Sequence, residues 1–220
     1  MLESQKSRII QFFKRFKPYI SFFALWILIF AVLFLILYFS GLMPDYMKDF
    51  TKGAFAYLMG ERPKMPKISE FSKDTAVLVI PKLGIVSPII FPESKDLAVL
   101  KKALDSGVVH YPDSALPEQN GNVFIFGHSS SKAFEKNPYR TIFTKLNQTK
   151  VGDEIIVRSF GIKYYYRVTS VEIVDPKESK VYLESKKPIL TLSTCWPVGD
   201  PTNRFVVEAE FARKDSIVEN

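Results

Sequence analysis

The sequence has few of the residues that metal sites and disulfides need. Its 220 residues include one cysteine, Cys195, and two histidines, His110 and His128. One cysteine cannot form an internal disulfide, and histidines 18 residues apart with one cysteine match no zinc-ligand spacing. The sequence also has no P-loop, no GxSxG elbow and no HExxH motif. We therefore expect neither a metal nor a cofactor.

Charged residues are absent from residues 18–44, and residues 19–39 are almost wholly apolar. A helix needs about 20 such residues to cross a bilayer, and a buried helix of a soluble protein would carry a polar stripe. The run is longer than the roughly 7–15-residue core of a cleaved signal peptide, and no small-residue cleavage pattern follows it. We predict an uncleaved transmembrane helix at residues 19–43; a buried core helix is the alternative.

The residues before this span are strongly basic. Residues 1–18 carry a net charge of +4 out of +7 for the chain, which leaves +3 for the remainder and gives no indication of nucleic-acid binding. By the positive-inside rule, residues 1–18 are a cytoplasmic tail and the chain after residue 44 lies outside the plasma membrane, as a single-pass protein. The charged residues of the tail are Lys6, Arg8, Lys14, Arg15 and Lys17, opposed by Glu3.

The chain becomes β-rich near residue 75. Residues 44–74 show no strand pattern, which indicates an extracytoplasmic stalk with a short amphipathic helix at residues 46–58. Residues 75–213 alternate short apolar runs with turn residues, and residues 214–220 form a tail. We predict a helix at residues 96–104, helical turns at 138–146, and strands at 76–80, 84–91, 122–126, 154–160, 163–174, 189–195 and 204–211.

Short strands with few helices are typical of a barrel or sandwich. We favour a mainly β, closed barrel because several strands are apolar along most of their length. In the last strand Phe205, Val207 and Ala209 alternate with polar residues, which predicts one core face and one solvent face. Pro88 predicts an edge strand or a bulge, and three leucines at helical spacing predict one buried face for the helix at 96–104.

Cys195 is the last residue of one predicted strand, and Arg204 is the first residue of the next. A loop of eight residues joins the two strands. An antiparallel arrangement would bring both residues to the mouth of that loop, with Cβ atoms about 5 Å apart. A nearby cation stabilises a thiolate, and a guanidinium can donate hydrogen bonds to an oxyanion. Spacing alone leaves open that Cys195 is a small buried apolar residue and that Arg204 is a surface charge.

A cysteine nucleophile requires a proton partner, and the sequence offers two histidines. His128 follows the predicted strand at residues 122–126, next to Gly127 and three serines. His110 lies in a segment predicted to be a loop. Catalytic groups commonly lie where a rigid scaffold ends in a loop, so we favour His128 and interpret His110 as a packed histidine.

Four motifs follow one another in the β-rich part of the chain: IPKLGIVSPII, GVVHYPDSALPEQNGNVFIFGHSS, KVGDEIIV, and TLSTCWP followed by Arg204. In this order, and over residues 76–211, they resemble the sortase family of cysteine transpeptidases. The TLSTCWP and GHSS segments are more similar to class D or E sortases than to class A. Many relatives of this type have arginine at the position of Ser129.

The resemblance implies an eight-stranded sortase barrel with Cys195, His128 and Arg204 as catalytic residues and with Thr194 and Ser129 as substrate-contacting residues. It implies a surface-protein or pilin substrate with a C-terminal, LPxTG-like sorting signal. The acyl group would be held as a thioester and transferred to an amine of a peptidoglycan precursor or of a pilin lysine.

Two other functions remain open from the sequence. The thioester could be hydrolysed by water, which would make the protein a cysteine endopeptidase. The domain could also be a non-catalytic, membrane-tethered binding barrel, in which case Cys195 would be inert. The catalytic residues do not encode the acceptor, and we expect segments 159–190 and 196–203 to set the substrate specificity.

Overall fold

A computed structural model describes residues 2–40, 66–129, 137–177, 182–199 and 202–217, with the single residues 43, 47, 51, 55 and 59. The chain divides into two compact units, Met1–Ala56 and Tyr57–Asn220. Most of the predicted amphipathic helix at residues 46–58 and part of the predicted stalk lie outside the described residues.

The first unit contains one long helix, α1, at Leu2–Phe39. The segment Phe22–Phe39 is long and apolar enough to cross a membrane, and none of it is buried. The helix begins at Leu2, so the basic segment that precedes the apolar run is helical as well.

The second unit is a closed barrel of eight strands in the order β1-β2-β3-β4-β7-β8-β6-β5. Pairs β2–β3 and β4–β7 are parallel, and the other neighbours are antiparallel. A second helix, α2 at Leu97–Leu104, precedes β3. The strands are β1 Val77–Ile80, β2 Ile85–Ile90, β3 Val108–His110, β4 Gly121–Phe126, β5 Glu154–Ser159, β6 Ile162–Val174, β7 Pro188–Trp196 and β8 Asn203–Ser216. The predicted mainly β, closed barrel is confirmed.

Side chains at every second strand position fill the barrel. In β8 the predicted alternation is confirmed, because Phe205, Val207 and Ala209 are buried whereas Glu208 and Glu210 are exposed. The interior is closed by large residues from other strands and from the chain between β4 and β5. These include Leu78, Ile80, Ile125, Ile142, Phe143, Leu146, Ile155, Tyr166, Leu190 and Leu192.

Two predicted helical features differ in detail from the structure. Helical turns were expected at residues 138–146, and the chain forms 3-10 turns at Pro138–Thr141 and Leu146–Gln148. The apolar face of α2 is buried only at its C-terminal end, since Leu104 is buried whereas Leu97 is 66% exposed. The helix therefore touches the barrel with its last turn.

The segment around His110 was predicted to be a loop, and this is wrong. Val108–His110 is strand β3, which lies between β2 and β4 and closes the barrel. Three residues are too few to show a periodic pattern, so the pairing partners rather than the local sequence define this strand.

Pro88 does not lie on an edge strand, because a closed barrel has none. On one side Pro88 pairs with Val77 of β1, and on the other side the ladder to β3 begins only at Ile89. The hydroxyl of Ser87 accepts a hydrogen bond from Val108 N–H at 3.1 Å, where a strand ladder would use a backbone group. A side-chain hydroxyl thus replaces a backbone acceptor next to Pro88, which allows a proline inside the barrel wall.

Candidate active site

Cys195 and Arg204 are directly opposite each other on the antiparallel strands β7 and β8. The next pair, Trp196 and Asn203, is the last before the connecting loop. This geometry confirms that the two residues share the mouth of one loop. The guanidinium of Arg204 donates a hydrogen bond to the carbonyl of Asn203 at 3.0 Å.

The cysteine and the arginine lie on the outer face of the barrel. Along β7, Leu190, Leu192 and Thr194 have the strand phase of the interior. Cys195, which follows Thr194, has the opposite phase, so it points outward and is partly exposed. Arg204 is likewise out of phase with the buried Phe205 of β8. The thiol is therefore accessible from outside the barrel.

His128 reaches the same region from β4, which runs parallel to β7. The last registered pair is Phe126 with Ser193, and Gly127 N–H continues the ladder by donating to Ser193 O at 3.1 Å. Continued for two more residues, this register would align His128 with Cys195. His128 has the same strand phase as Phe126, and its carbonyl accepts a hydrogen bond from Phe143 N–H at 2.8 Å.

Two hydroxyl groups join the histidine segment to the cysteine strand. Thr194 Oγ1 donates to the carbonyl of Gly127 at 2.7 Å, and Ser129 Oγ donates to the carbonyl of Cys195 at 2.7 Å. Both side chains are buried. These bonds fix the backbone on either side of His128 against the end of β7. That Thr194 and Ser129 also contact substrate stays a prediction.

Gly127 is required by the packing beneath the histidine. A Cβ at this position would lie 2.8 Å from Cδ2 and 2.9 Å from Cε2 of Phe143. The ring of Phe143 belongs to the barrel core and is almost fully buried. The absence of a side chain lets the backbone that carries His128 lie directly on this ring.

The electrostatic surroundings of His128 include an ion pair that the sequence analysis missed. Arg140 Nη2 lies 2.6 Å from Asp105 Oδ1, at the end of α2. Burial, followed by the positive charge of Arg140, lowers the pKa of His128 from its ordinary value, and Asp105 acts in the opposite direction. No local sequence signal connects Asp105 and Arg140 with residue 128, because three separate segments bring them together.

His110 has the environment of a packed histidine. It is buried, its Nε2 lies 2.9 Å from Ala115 O and 3.0 Å from Ser114 Oγ, and it pairs in register with Ile125 of β4. Burial lowers the pKa of its imidazole. The arrangement supports the interpretation of His110 as a structural residue.

A groove of about 480 Å³ runs along the outer face of the barrel from Arg204. Its floor is formed by outward-facing residues of β4, β7, β8 and β6, including Phe124, Thr191 and Ser193. Part of segment 159–190, which was expected to set specificity, forms its rim through Tyr182, Glu184 and Ser185. A groove of this size is in the usual range for ligand sites.

The side of the groove near β4 is held by Asn122, which the sequence analysis also missed. Its Nδ2 donates to Tyr182 O at 2.9 Å, and its backbone N–H donates to Leu183 O at 2.9 Å. The carboxylates of Glu172, Glu184 and Glu208 line the groove together with Arg204. The groove is therefore positively charged next to Cys195 and acidic along its length.

Comparison with known proteins identifies the family of the barrel domain. The sortase domain family model matches residues 78–212. Sortase D of Bacillus subtilis is 29% identical over 143 residues, which are 63% of this chain and 64% of that protein. Sortase A of Bacillus anthracis is 27% identical over 170 residues, which are 76% of this chain and 74% of that protein. The match thus spans just under two thirds of the length of Sortase D.

Solved structures have the same barrel. Sortase C1 from Streptococcus agalactiae is 25% identical, with a TM-score of 0.54 over 66% of this chain and 70% of that chain. Sortase A from Corynebacterium diphtheriae, a lid mutant, is also 25% identical, with a TM-score of 0.53 over 72% of this chain and 76% of that chain. The fold and the family match define a sortase domain. The chain belongs to the sortase family, whose members are cysteine transpeptidases.

Proposed function

We propose that this chain is a membrane-anchored sortase, in which Cys195 cleaves a C-terminal sorting signal and transfers the acyl part to an amine. The observation that carries the proposal is the pairing of Cys195 with Arg204, which lines the outer groove, next to the parallel β4–β7 ladder that leads to His128. Residues 75–213 would form the catalytic domain, and residues 19–43 its transmembrane anchor.

In the first half-reaction, the thiolate of Cys195 attacks the carbonyl carbon of the scissile peptide bond. The carbonyl oxygen becomes an oxyanion, and the guanidinium of Arg204 stabilises it, since the two residues face each other across β7 and β8. His128, as imidazolium, protonates the leaving amine. The peptide C–N bond breaks, and the N-terminal part of the substrate remains as a thioester on Cys195.

In the second half-reaction, an incoming amine attacks the thioester and gives a proton to His128. The new amide forms, and the thiolate of Cys195 leaves. The outer groove would hold the residues before the scissile bond in an extended conformation, and its acidic rim would disfavour acidic side chains there. An LPxTG-like signal is the substrate that the sequence resemblance supports.

The membrane anchor is supported by α1, which contains an 18-residue apolar segment with no buried residues. The basic residues before it support a cytoplasmic N-terminus and an extracytoplasmic barrel. Substrates would then be exported surface proteins or pilins, and acceptors would be amines of peptidoglycan precursors or pilin lysines. Among the similar structures, one is a pilus-related sortase C of Group B Streptococcus.

The proposal is tested with the full chain in detergent micelles, a pool of LPxTx-type peptides and triglycine. Mass spectrometry should detect an acyl adduct on Cys195 and an amide product with triglycine, and Cys195→Ala should give neither. Arg204→Lys should lower kcat by about 10²–10³-fold, as does loss of an oxyanion donor. The matched control is Arg213→Lys on the same strand, which should leave turnover unchanged because Arg213 lies at the other end of β8.

The acceptor is tested in the same experiment. Hydrolysed peptide without any triglycine amide would favour the cysteine endopeptidase over the transpeptidase. Equal turnover by Cys195→Ala and the unaltered chain would contradict the proposed nucleophile.

A further inference from the structure

One end of the barrel carries exposed apolar side chains that the proposed reaction does not use. Ile162 at the start of β6 pairs with Ser216 at the end of β8, whereas Arg204 near the start of β8 pairs with Val174. The β5–β6 hairpin therefore lies at the end of the barrel remote from Cys195. We call this end the base.

Phe160 forms the tip of the β5–β6 hairpin in a conformation that a phenylalanine disfavours. Phe160 and Gly161 have φ angles of 47° and 74°, and positive values at both central residues are typical of a type I′ turn. Asn, Asp and Gly are favoured there, whereas a bulky residue in the left-handed region is strained. Phe160 is also 78% exposed. Neither the turn nor the core of the barrel explains this side chain.

Phe160 belongs to a larger apolar surface. Phe91, at 49% exposure, and Leu116, at 46% exposure, line the same cavity of about 430 Å³ at the base. The deeper walls of the cavity are apolar residues of the barrel, including Ile89, Val123 and Val157. Three large apolar side chains around an apolar cavity form a surface that water solvates poorly.

The chain joins the barrel at this same end. Arg158 lies near the end of β5, two residues before Phe160. Its Nη2 donates to Phe71 O at 3.2 Å and to Ser72 O at 3.0 Å. Gly161 N–H donates to Lys73 O at 3.2 Å. Residues 71–73, which precede β1, are thus hydrogen-bonded to the hairpin that carries Phe160.

We propose that the base of the barrel contacts the bilayer surface, with Phe160, Phe91 and Leu116 inserted among the lipids. The proposal rests on the membrane anchor of the proposed function. An anchored chain holds its base at a high effective concentration near the lipid, so a weak apolar contact is sufficient. Phenylalanine and leucine are among the residues that form the apolar side of interfacial membrane helices. Cys195 then lies at the end of the barrel remote from the lipid.

The test uses the full chain in vesicles of phosphatidylglycerol and phosphatidylethanolamine, with Cys195→Ser so that one introduced cysteine can be spin-labelled. A label at Leu116→Cys reports on the base, and a label at Val198→Cys, also an exposed apolar position, reports on the end near Cys195. Flotation first measures whether the chain stays with the vesicles. Collision with dioxygen, which partitions into lipid, and with a water-soluble nickel complex then measures the surroundings of each label.

We expect the spin label at residue 116 to collide more often with dioxygen, and the label at residue 198 to collide more often with the nickel complex. Phe160→Asn should shift residue 116 towards the nickel complex. In a chain that retains Cys195, the same substitution should leave turnover of soluble peptides unchanged, because Phe160 belongs to the part of segment 159–190 that does not line the groove. It should not lower the melting temperature, because asparagine suits the turn.

Nickel accessibility at residue 116 equal to that at residue 198 would overturn the proposal. Protection of residue 116 from both agents would also overturn it, since a protein surface would then cover the base. A chain that does not float refutes the anchor and this proposal together. A chain that floats but forms no thioester refutes only the proposed chemistry, because the label measurement does not depend on turnover.

Discussion

The hydroxyl of Thr194 connects the strand of Cys195 to the segment of His128, and its removal should affect both stability and turnover. Thr194→Val keeps the shape of the side chain and removes the donor to Gly127 O. Leaving a buried carbonyl without its partner costs about 1–3 kcal/mol of unfolding free energy. A loss of about 2 kcal/mol lowers the melting temperature of a domain of this size by about 4–8 °C.

Turnover should fall for a different reason. Gly127 precedes His128, and without the Thr194 bond the backbone that carries the imidazole is held less firmly against the end of β7. A misplacement of about 1 Å in a reacting group can lower a rate by about 10²-fold. We expect a decrease of about 10- to 100-fold in kcat, with little change in KM, because the outer groove is unaltered.

The matched control is Thr169→Val, which removes an exposed hydroxyl that donates to Glu208 O at 3.3 Å. An exposed substitution of this kind changes stability by less than about 0.5 kcal/mol. Thermal unfolding and peptide turnover are measured for both variants as full chains in detergent micelles. Turnover is compared at a temperature well below both melting temperatures. If Thr194→Val then turns over peptide as fast as Thr169→Val does, Thr194 does not position His128 and the reasoning is refuted.

Two further predictions follow from the packing. Gly127→Ala should destabilise the fold by about 1–3 kcal/mol, because its Cβ meets the ring of Phe143, and chemical denaturation should detect this; unchanged stability would mean that the ring moves freely. Burial lowers the pKa of His110 below its ordinary 6.5. The free energy of unfolding should therefore be higher at neutral pH and decrease as the pH falls through that value, because protonation of His110 favours the unfolded chain. His110→Gln should weaken this dependence between about pH 7.5 and 5.5 in urea unfolding, and an unaltered dependence would assign it to other groups.

The sequence was sufficient for the longer strands and for the pairing of Cys195 with Arg204. A β-hairpin with a short loop allows few arrangements, and the alternating Phe205, Val207 and Ala209 determine which face of β8 is buried. The register of a strand with one buried face follows from such alternation. The local sequence pattern was therefore sufficient to predict the Cys195–Arg204 pair.

The position of His128 depends on a pairing that local pattern does not specify. Strands β4 and β7 are parallel and far apart in the sequence, and only the strand order of the folded barrel places them together. The short β3 has no periodic signal, which also explains why His110 was assigned to a loop. The ion pair of Asp105 with Arg140 is likewise a product of tertiary packing.

The hydroxyls of Thr194 and Ser129 illustrate a further limit of sequence reasoning. Their positions next to Cys195 and His128 suggested contact with substrate, and the structure directs both towards backbone carbonyls. A motif identifies which residues matter, but the direction of each side chain follows from strand phase and from the neighbouring backbone. Only the folded chain supplies both.

The parallel pairing of β4 with β7 has a consequence for the newly made protein. Thr194 and Gly127 are 67 residues apart in the sequence, so their bond forms only after a large loop has closed. A chain that has not folded has its thiol in one place and its imidazole in another. Under the proposed mechanism, reactivity towards peptides therefore arises only when the barrel is complete. While the chain folds, the thiol of Cys195 lacks the imidazole of His128 as its proton partner.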